Sequence, residues 1–244
     1  MSGLYIVGTP IGNLGDITYR ALETFRAADI IAAEDTRHTL QLLTHFGIKK
    51  PLVSCRAQNE KEAAERIVKL LAEGKNVAFA SDAGTPGISD PGAVLADTVR
   101  NAGYAVIPIP GVSALTALTS VAGEGGKTLI FEGFLPQKPG KRKSRVKELL
   151  ETGYAFVLYE SPFRIVKLLT DIADIEYERR VVVGRELTKL HEEIIGGTAA
   201  QVRDEFGLRS KIQGEFAVFV AGVKKAQFCK GDFDSRREAD EDDH

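Results

Sequence analysis

Three loops rich in glycine and proline carry the residue types of a ligand-binding site. Residues 8–16 and 81–92 both contain the run Gly-Thr-Pro, and residues 108–114 contain Pro-Gly-Val-Ser. Glycine lets backbone N–H groups turn toward a ligand at φ values that other residues resist, and proline stiffens the intervening bonds. All three loops follow apolar runs, and the loops after the strands of an open α/β sheet line one crevice. The sequence therefore predicts one shared site.

Acidic and basic residues also stand together after apolar runs. This occurs at residues 34–37 (Glu-Asp-Thr-Arg), 160–164 (Glu-Ser-Pro-Phe-Arg) and 185–189 (Arg-Glu-Leu-Thr-Lys). Any one of these groups alone is explained by a local ion pair or a helix cap. Together they predict a polar cleft in which a carboxylate orients or deprotonates a hydroxyl group.

Residues 138–147 form a basic segment with six cations and no acid. Basic clusters on flexible loops are typical of proteins that bind phosphate backbones through counterion release. The alternative is the solvated start of a helix, and no aromatic residue within the segment offers stacking to a base. We expect a flexible loop that binds a polyanion.

The sequence does not contain the motifs of several other activities. The glycine spacing of the first loop, Gly-x3-Gly-x2-Gly, matches neither the dinucleotide fingerprint nor a P-loop. Glu34 and Asp35 do resemble the acid that binds ribose in dinucleotide folds, which leaves a nicotinamide oxidoreductase as an alternative at this point. No metal site is expected, because no histidine has metal-ligand spacing. The histidines are His38, His45, His191 and His244.

The composition is that of a globular protein of a reducing compartment. The 244 residues are 43% hydrophobic and 27% charged, and no run approaches the roughly 18 apolar residues of a membrane span. The first residues show no targeting signal, and Cys55 and Cys229 form neither a disulfide framework nor a zinc motif. We expect a cytoplasmic protein without membrane association.

Apolar runs alternate with amphipathic stretches, which is typical of α/β proteins with largely parallel sheets. The pattern breaks near residues 123–127, where we place a domain boundary. We expect an N-terminal α/β domain at 1–124 and a C-terminal α/β domain at 125–225, with a mixed sheet containing a hairpin. Residues 232–244 carry seven acids and two arginines, so an acidic, disordered tail is expected at 226–244.

Six motifs together resemble the ribosomal small subunit methyltransferase I family of bacteria. They are LYIVGTPIGNL (4–14), AEDTR (33–37), SDAGTPGISDPG (81–92), EGFLP (132–136), YES (159–161) and RELTK (185–189). The resemblance implies a homodimeric enzyme that uses S-adenosylmethionine to methylate the ribose 2′-oxygen of a cytidine in the decoding region of 16S rRNA, within the small ribosomal subunit. It also implies the tetrapyrrole-methylase-like (class III) fold, in which two α/β domains hold the cofactor in the cleft between them.

The resemblance also implies site residues. For cofactor binding they are Pro10, Asp82, Ala83, Gly84, Ile88, Ser89, Ser113, Ala114, Phe134, Tyr159 and Ala217. For RNA binding they are Arg37, Lys138, Lys141, Arg142, Lys143, Arg145 and Lys189. Asp35 and Glu186 are the candidate catalytic carboxylates, expected to accept the proton of the 2′-hydroxyl.

Residues 56–60 depart from the family pattern. Many members carry His-x-His-Asn-Glu where this chain has Arg-Ala-Gln-Asn-Glu, so no histidine function transfers to Arg56 or Gln58. Two alternative functions remain at this point. One is a methyltransferase of tetrapyrrole or cobalamin precursors with the same fold and cofactor, and the other is a non-enzymatic RNA-binding module.

Overall fold

Two five-stranded sheets organise the part of the chain that the computed structural model describes, residues 2–123 and 126–223. The expected acidic tail lies outside the described residues, and so do residues 124 and 125 at the expected domain boundary. The predicted α/β fold with two sheets is confirmed.

The first sheet is parallel throughout, with strand order β3-β2-β4-β1-β5. Its strands are β1 (Gly3–Val7), β2 (Ile30–Ala33), β3 (Leu52–Ser54), β4 (Val77–Ala80) and β5 (Ala105–Ile109). Its helices are α1 (Tyr19–Ala27), α2 (Thr36–His45), α3 (Glu60–Ala72), α4 (Ala93–Asn101) and α5 (Ala114–Val121). Strand β4 is apolar throughout because both of its faces are covered. Val77 and Phe79 pack on one side, and Ala78 and Ala80 pack on the other.

The second sheet is mixed, with strand order β6-β7-β10-β8-β9. Its strands are β6 (Leu129–Phe134), β7 (Ala155–Glu160), β8 (Arg180–Arg185), β9 (Glu193–Thr198) and β10 (Phe216–Val220). Its helices are α6 (Pro139–Glu151), α7 (Ile165–Ile175) and α8 (Ala199–Gly207). Strands β6 and β7 pair parallel, and the other neighbours pair antiparallel. Strands β8 and β9 form the hairpin.

Helix α5 joins the two halves of the molecule. Leu118 of α5 is fully buried in a cluster with Ala155, Val157, Ala217 and Phe219 of the second sheet. Alternate residues of β7 and β10 point to the opposite face, where α6, α7 and α8 cover a larger apolar core. The second sheet therefore has both faces covered, one of them in part by a helix from the first half of the chain.

The expectation of a flexible loop at 138–147 is wrong, because this basic segment forms the start of helix α6. Pro139 is the first residue of the helix. Backbone N–H groups in the first turn have no hydrogen-bond partner within the helix, so proline, which lacks this N–H, loses no hydrogen bond there. Val146, Leu149 and Leu150 on the same helix are buried in the main core of the second sheet. Burial of this apolar face stabilises the helix despite its run of like charges.

The strand directions bring the motif loops to the cavity described below. Strands β1, β4 and β5 are parallel, so the loops that follow them leave the same edge of the first sheet. In the second sheet, Phe216 of β10 pairs with both Glu160 and Arg185, which places the carboxyl ends of β7 and β8 at one edge. Within residues 2–123 and 126–223, no helix combines the length and apolar character needed to span a membrane.

Candidate active site

A cavity of about 370 Å³ lies where the loops of the first sheet meet the edge of the second sheet. Its lining comes from both halves of the chain. The residues are Ile11, Ala83, Gly84, Thr85, Ile88, Ser89, Asp90, Ser113, Ala114, Phe134, Tyr159, Glu160, Ser161, Pro162, Gly184, Leu187, Gly214, Glu215, Phe216 and Ala217. A second cavity of about 200 Å³ lies against α1 and contains none of the motif loops.

Nine of the eleven residues proposed for cofactor binding line this cavity. The other two, Pro10 and Asp82, do not line the cavity, but each directly precedes a residue that does, Ile11 and Ala83 respectively. Thr9, the residue before Pro10, exchanges two backbone hydrogen bonds with Gly84, at 2.8 and 3.0 Å. The residues proposed from the sequence for cofactor binding therefore lie together at this cavity.

Close backbone contacts hold the three glycine-rich loops together. A Cβ on Gly8 would lie 2.7 Å from the Gly111 nitrogen, so the first and third loops approach as only glycine permits. Gly84 has a φ of +77°, and its backbone pairs with the first loop. The Thr85 hydroxyl donates to the Val112 carbonyl at 3.1 Å, which ties the second loop to the third. The loops thus form one preorganised wall.

The second sheet contributes the opposite wall and contacts the first directly. The Leu115 N–H donates to the Tyr159 hydroxyl oxygen at 3.0 Å, which links the start of α5 to β7. Burial is the main reason that the pKa of Tyr159 lies above its ordinary value. A Cβ on Gly133 would lie 2.6 Å from Ser89 Oγ, so β6 also reaches the second loop. These contacts close the cavity between the two sheets.

Asp90 is a cavity residue that the sequence-based set did not include. Burial raises the pKa of its carboxyl group to about 6, with smaller contributions from the charges of Glu34 and Asp82. Its location in the glycine- and proline-rich second loop, directly after Ser89, is the sequence signal that could have identified it. A titratable group with a shifted pKa in a cleft is a feature of functional sites.

The cavity lining favours a ligand that is cationic and partly apolar. Asp90, Glu160 and Glu215 supply carboxyl groups, and the lining contains no lysine, arginine or histidine. Glu160 pairs with Arg164 and Glu215 pairs with Lys189, both outside the lining, so among the described residues Asp90 is the lining carboxyl group without an ion pair. Ile88, Leu187 and the other apolar residues supply the remaining surface. Among the described residues, no group of three or more histidine, cysteine, aspartate or glutamate side chains is arranged to hold a metal ion.

Comparison with known proteins assigns the family. The family Tetrapyrrole (Corrin/Porphyrin) Methylases matches residues 3–203. A relative from Borrelia garinii subsp. bavariensis named Ribosomal RNA small subunit methyltransferase I is 45% identical over 219 residues, covering 89% of this chain and 98% of the relative. A relative of the same name from Thermotoga maritima is 47% identical over 223 residues, covering 91% and 99%. The chain belongs to the ribosomal RNA small subunit methyltransferase I family.

Solved structures agree on the fold. A cobalamin biosynthetic enzyme, cobalt precorrin-4 methyltransferase, has a TM-score of 0.67 at 19% identity, covering 90% of this chain and 94% of that one. Uroporphyrin-III-C-methyltransferase from Thermus thermophilus has a TM-score of 0.59 at 18% identity, covering 91% and 94%. At this identity the likeness concerns the fold alone. Together with the family match, this agreement confirms the expected tetrapyrrole-methylase-like class.

Family membership makes this chain a methyltransferase that uses S-adenosylmethionine, as the resemblance implied. The cavity fits that cofactor, which combines a cationic sulfonium and ammonium with an apolar adenosine. The Asp90 carboxyl group, and a lining without lysine, arginine or histidine, suit a cationic ligand. Backbone groups of the glycine-rich wall suit its carboxylate.

The two candidate catalytic carboxylates lie outside the cavity lining. Asp35 accepts two hydrogen bonds from the Arg37 guanidinium, at 3.1 and 2.7 Å, and these bonds are the main reason that its pKa lies well below the ordinary value. Its own N–H donates to Asp82 at 2.9 Å, which connects it to the second loop. Asp35 is thus fixed beside the site and holds Arg37.

Glu186 is also engaged by neighbours. Burial alone would raise the pKa of Glu186, but hydrogen bonds from the Glu215 N–H at 2.9 Å and the Lys189 ammonium at 3.0 Å leave it below the ordinary value. Glu186 and Thr188 adopt positive φ angles of 50° and 67°, a strained backbone typical of functional turns. The methylene stem of Lys189 contacts Gly12, so this turn reaches the first loop.

The proposed RNA-binding cations occupy different environments. Arg37 is 84% exposed, and Lys138 and Lys141 are exposed on the helix start. Lys143 pairs with Asp174, while Arg145 pairs with Glu132 and Glu148. Lys189 pairs with Glu186 and Glu215.

Arg142 requires a correction to the proposed RNA-binding set. Its side chain is 5% exposed, and its Nε donates to Asp171 Oδ2 at 2.6 Å within the fold of the second sheet. A buried and paired guanidinium is not available to a phosphate group. We therefore assign Arg142 to the folding of the second sheet and omit it from the RNA surface.

Proposed function

We propose that this chain methylates the ribose 2′-oxygen of a cytidine in 16S rRNA. The observation that carries the proposal is the cavity between the sheets, which is lined by the family motifs and contains the Asp90 carboxyl group and no lysine, arginine or histidine in its lining. Relatives named Ribosomal RNA small subunit methyltransferase I match nearly their whole length to this chain, which supports ribosomal RNA as the substrate. We further propose that it acts in the cytoplasm as a homodimer on assembled small subunits.

The chain provides orientation and electrostatic complementarity for this reaction. S-adenosylmethionine, when bound, would supply a methyl group on a sulfonium, whose sulfur is a good leaving group because it departs as a neutral thioether. The Asp90 carboxylate offers a negative charge to the cationic methionine portion, and Ser113 and Ala114 belong to the same lining. Phe134, Tyr159 and Ala217 form the surface proposed for adenosine. Alignment of the attacking oxygen in this enclosed site accounts for much of the rate.

Exposed cations around the site are proposed to hold the RNA backbone. Arg37 stands beside the second loop through the chain of contacts from Asp35 to Asp82. Lys138 and Lys141 extend the basic surface along the start of α6. Arg145 and Lys143 are already paired with acids, so we expect them to contribute less.

We propose positioning roles for Asp35 and Glu186, in place of proton acceptance, with the 2′-hydroxyl proton passing to solvent water as the methyl group is transferred. A carboxylate whose pKa is lowered by ion pairing is a weak base, and neither side chain lines the cavity. Asp35→Asn and Glu186→Gln should each raise KM for small subunits by about two- to fivefold, the scale of a partly exposed ion pair, and leave kcat nearly unchanged. Steady-state kinetics would contradict this if kcat fell by about 100-fold or more in either variant, as expected for loss of a general base.

Cofactor affinity should depend on pH through Asp90. Because the pKa of Asp90 in the free protein is about 6, the group is largely ionised above that pH and largely neutral below it. A cationic ligand binds the ionised form better, so affinity should fall by about tenfold from about pH 7 to about pH 5. Calorimetric titration with S-adenosylmethionine measures this directly. The same titration of Asp90→Asn should show a flatter dependence, and equal slopes for both proteins would contradict the assignment.

The function is tested by incubating the protein and labelled S-adenosylmethionine with small subunits that lack the modification. Methylated RNA is then mapped by resistance to alkaline hydrolysis, which requires a free 2′-hydroxyl. The proposal expects one resistant cytidine in the decoding region. Label on a base, or no label in 16S rRNA, would overturn it.

The alternative of a tetrapyrrole or cobalamin precursor as substrate has less support. It rests on structures that share 18 or 19% identity with this chain and therefore show only the fold. The non-enzymatic alternative does not hold, because the chain belongs to a methyltransferase family.

A further inference from the structure

An exposed aromatic side chain stands beside the cavity. Phe163 is 85% exposed and lies between β7 and α7, in the segment that follows the YES motif. The three preceding residues, Glu160, Ser161 and Pro162, all belong to the cavity lining. Phe163 is therefore placed at the rim of the site, where its ring makes little contact with the fold.

The segment that carries Phe163 is held in place by hydrogen bonds. The fully buried Glu160 carboxylate accepts from the Ser161 N–H and from the Arg164 Nε, both at 2.7 Å. The Ser161 carbonyl accepts from the N–H groups of Arg164 and Ile165, each at 3.1 Å. These hydrogen bonds fix the backbone of the turn, so the exposure of the Phe163 ring follows from the conformation of the turn.

We propose that Phe163 stacks on the base of the target nucleotide when its ribose enters the cavity. This inference rests on the proposed function and adds a residue that positions the RNA. Proteins recognise unpaired RNA bases by stacking them on aromatic rings, and enzymes that modify nucleotides often extrude the target from its helix. An aromatic ring next to a cavity that must admit one nucleotide meets this requirement.

The surroundings of Phe163 favour an RNA base over a protein partner. Its direct neighbours in the chain are Pro162 and Arg164, Arg164 is paired with Glu160, and Lys167 is exposed in the first turn of α7. A docking surface for protein requires a contiguous apolar patch. A single ring flanked by a cation instead suits a base and its adjacent phosphate.

The test compares Phe163→Ala, Phe163→Leu and Phe163→Tyr in methylation of small subunits. Loss of stacking should lower kcat/KM by about 5- to 100-fold in the alanine variant. The leucine variant should remain impaired, because it restores apolar volume without a π-face, and the tyrosine variant should recover most of the activity. Calorimetry should show unchanged affinity for S-adenosylmethionine in all three variants.

Tyr177→Ala provides the matched control. Tyr177 is 59% exposed and lies between α7 and β8, at the opposite edge of the second sheet, so its removal should leave kcat/KM unchanged. The inference is overturned if Phe163→Ala keeps wild-type kcat/KM, if leucine rescues as well as tyrosine, or if sedimentation shows that Phe163→Ala changes the oligomeric state instead. The wild type is assayed on the same subunits. If it methylates ribose, any of these three results overturns the stacking inference and leaves the proposed function standing. A wild type without ribose methylation would overturn both.

Discussion

Asp90→Asn is expected to weaken binding of S-adenosylmethionine by about 10- to 100-fold at neutral pH, because charge-assisted contacts contribute about 1.5–3 kcal/mol. Asparagine keeps the size of the side chain but offers no negative charge to the cationic ligand. Asp90 lies in the lining, and burial reduces the screening of its charge by water. Calorimetric titration of the purified protein gives the affinity.

A matched control for this prediction is Asp97→Asn. Asp97 lies on α4 with 74% of its side chain exposed and pairs with Arg100. The same chemical change at this exposed position should leave cofactor affinity unaltered. Equal affinities for wild type, Asp90→Asn and Asp97→Asn would show that the charge of Asp90 takes no part in binding.

Arg142→Ala is expected to destabilise the protein more than it affects RNA binding. Removal of the guanidinium leaves Asp171 buried without its cation, which costs about 3–5 kcal/mol. We expect Tm to fall on the order of 10 °C, measured by calorimetry or circular dichroism. Lys141→Ala, at the exposed neighbouring position, should leave Tm unchanged and weaken RNA binding modestly.

A double variant tests whether the unpaired charge of Asp171 causes the loss of stability in Arg142→Ala. Replacing both partners, as Arg142→Met with Asp171→Leu, removes the uncompensated charge and should recover most of the stability. If Arg142→Ala instead kept its Tm and lost RNA affinity, Arg142 would belong to the RNA surface after all.

The sequence contained enough information for the fold class and for most of the cavity lining. Glycine and proline mark the loops after β1, β4 and β5, and parallel strands bring such loops to one edge. This local pattern predicts that Gly84, Ser89 and Ser113 lie together, as they do in the cavity lining. The walls from the second sheet, such as Tyr159, depended on the family resemblance, because no local pattern links β7 to α5.

Burial and long-range pairing explain what sequence reasoning missed. Asp90 is distinguished by its location in the cavity and its raised pKa, and neither property is encoded by its neighbours alone. Arg142 shares helical spacing with Val146, Leu149 and Leu150, which indicates a buried face. Its partner Asp171 lies 29 residues away, so the ion pair appears only in the folded chain.

We propose that the cavity between the two sheets holds the methyl donor. A crystal structure of the protein with S-adenosylmethionine tests this most directly. We expect the ligand in this cavity, with its cationic methionine portion beside Asp90 and its adenosine against the surface formed by Tyr159 and Ala217. A ligand bound elsewhere, with the glycine-rich loops away from it, would contradict the account.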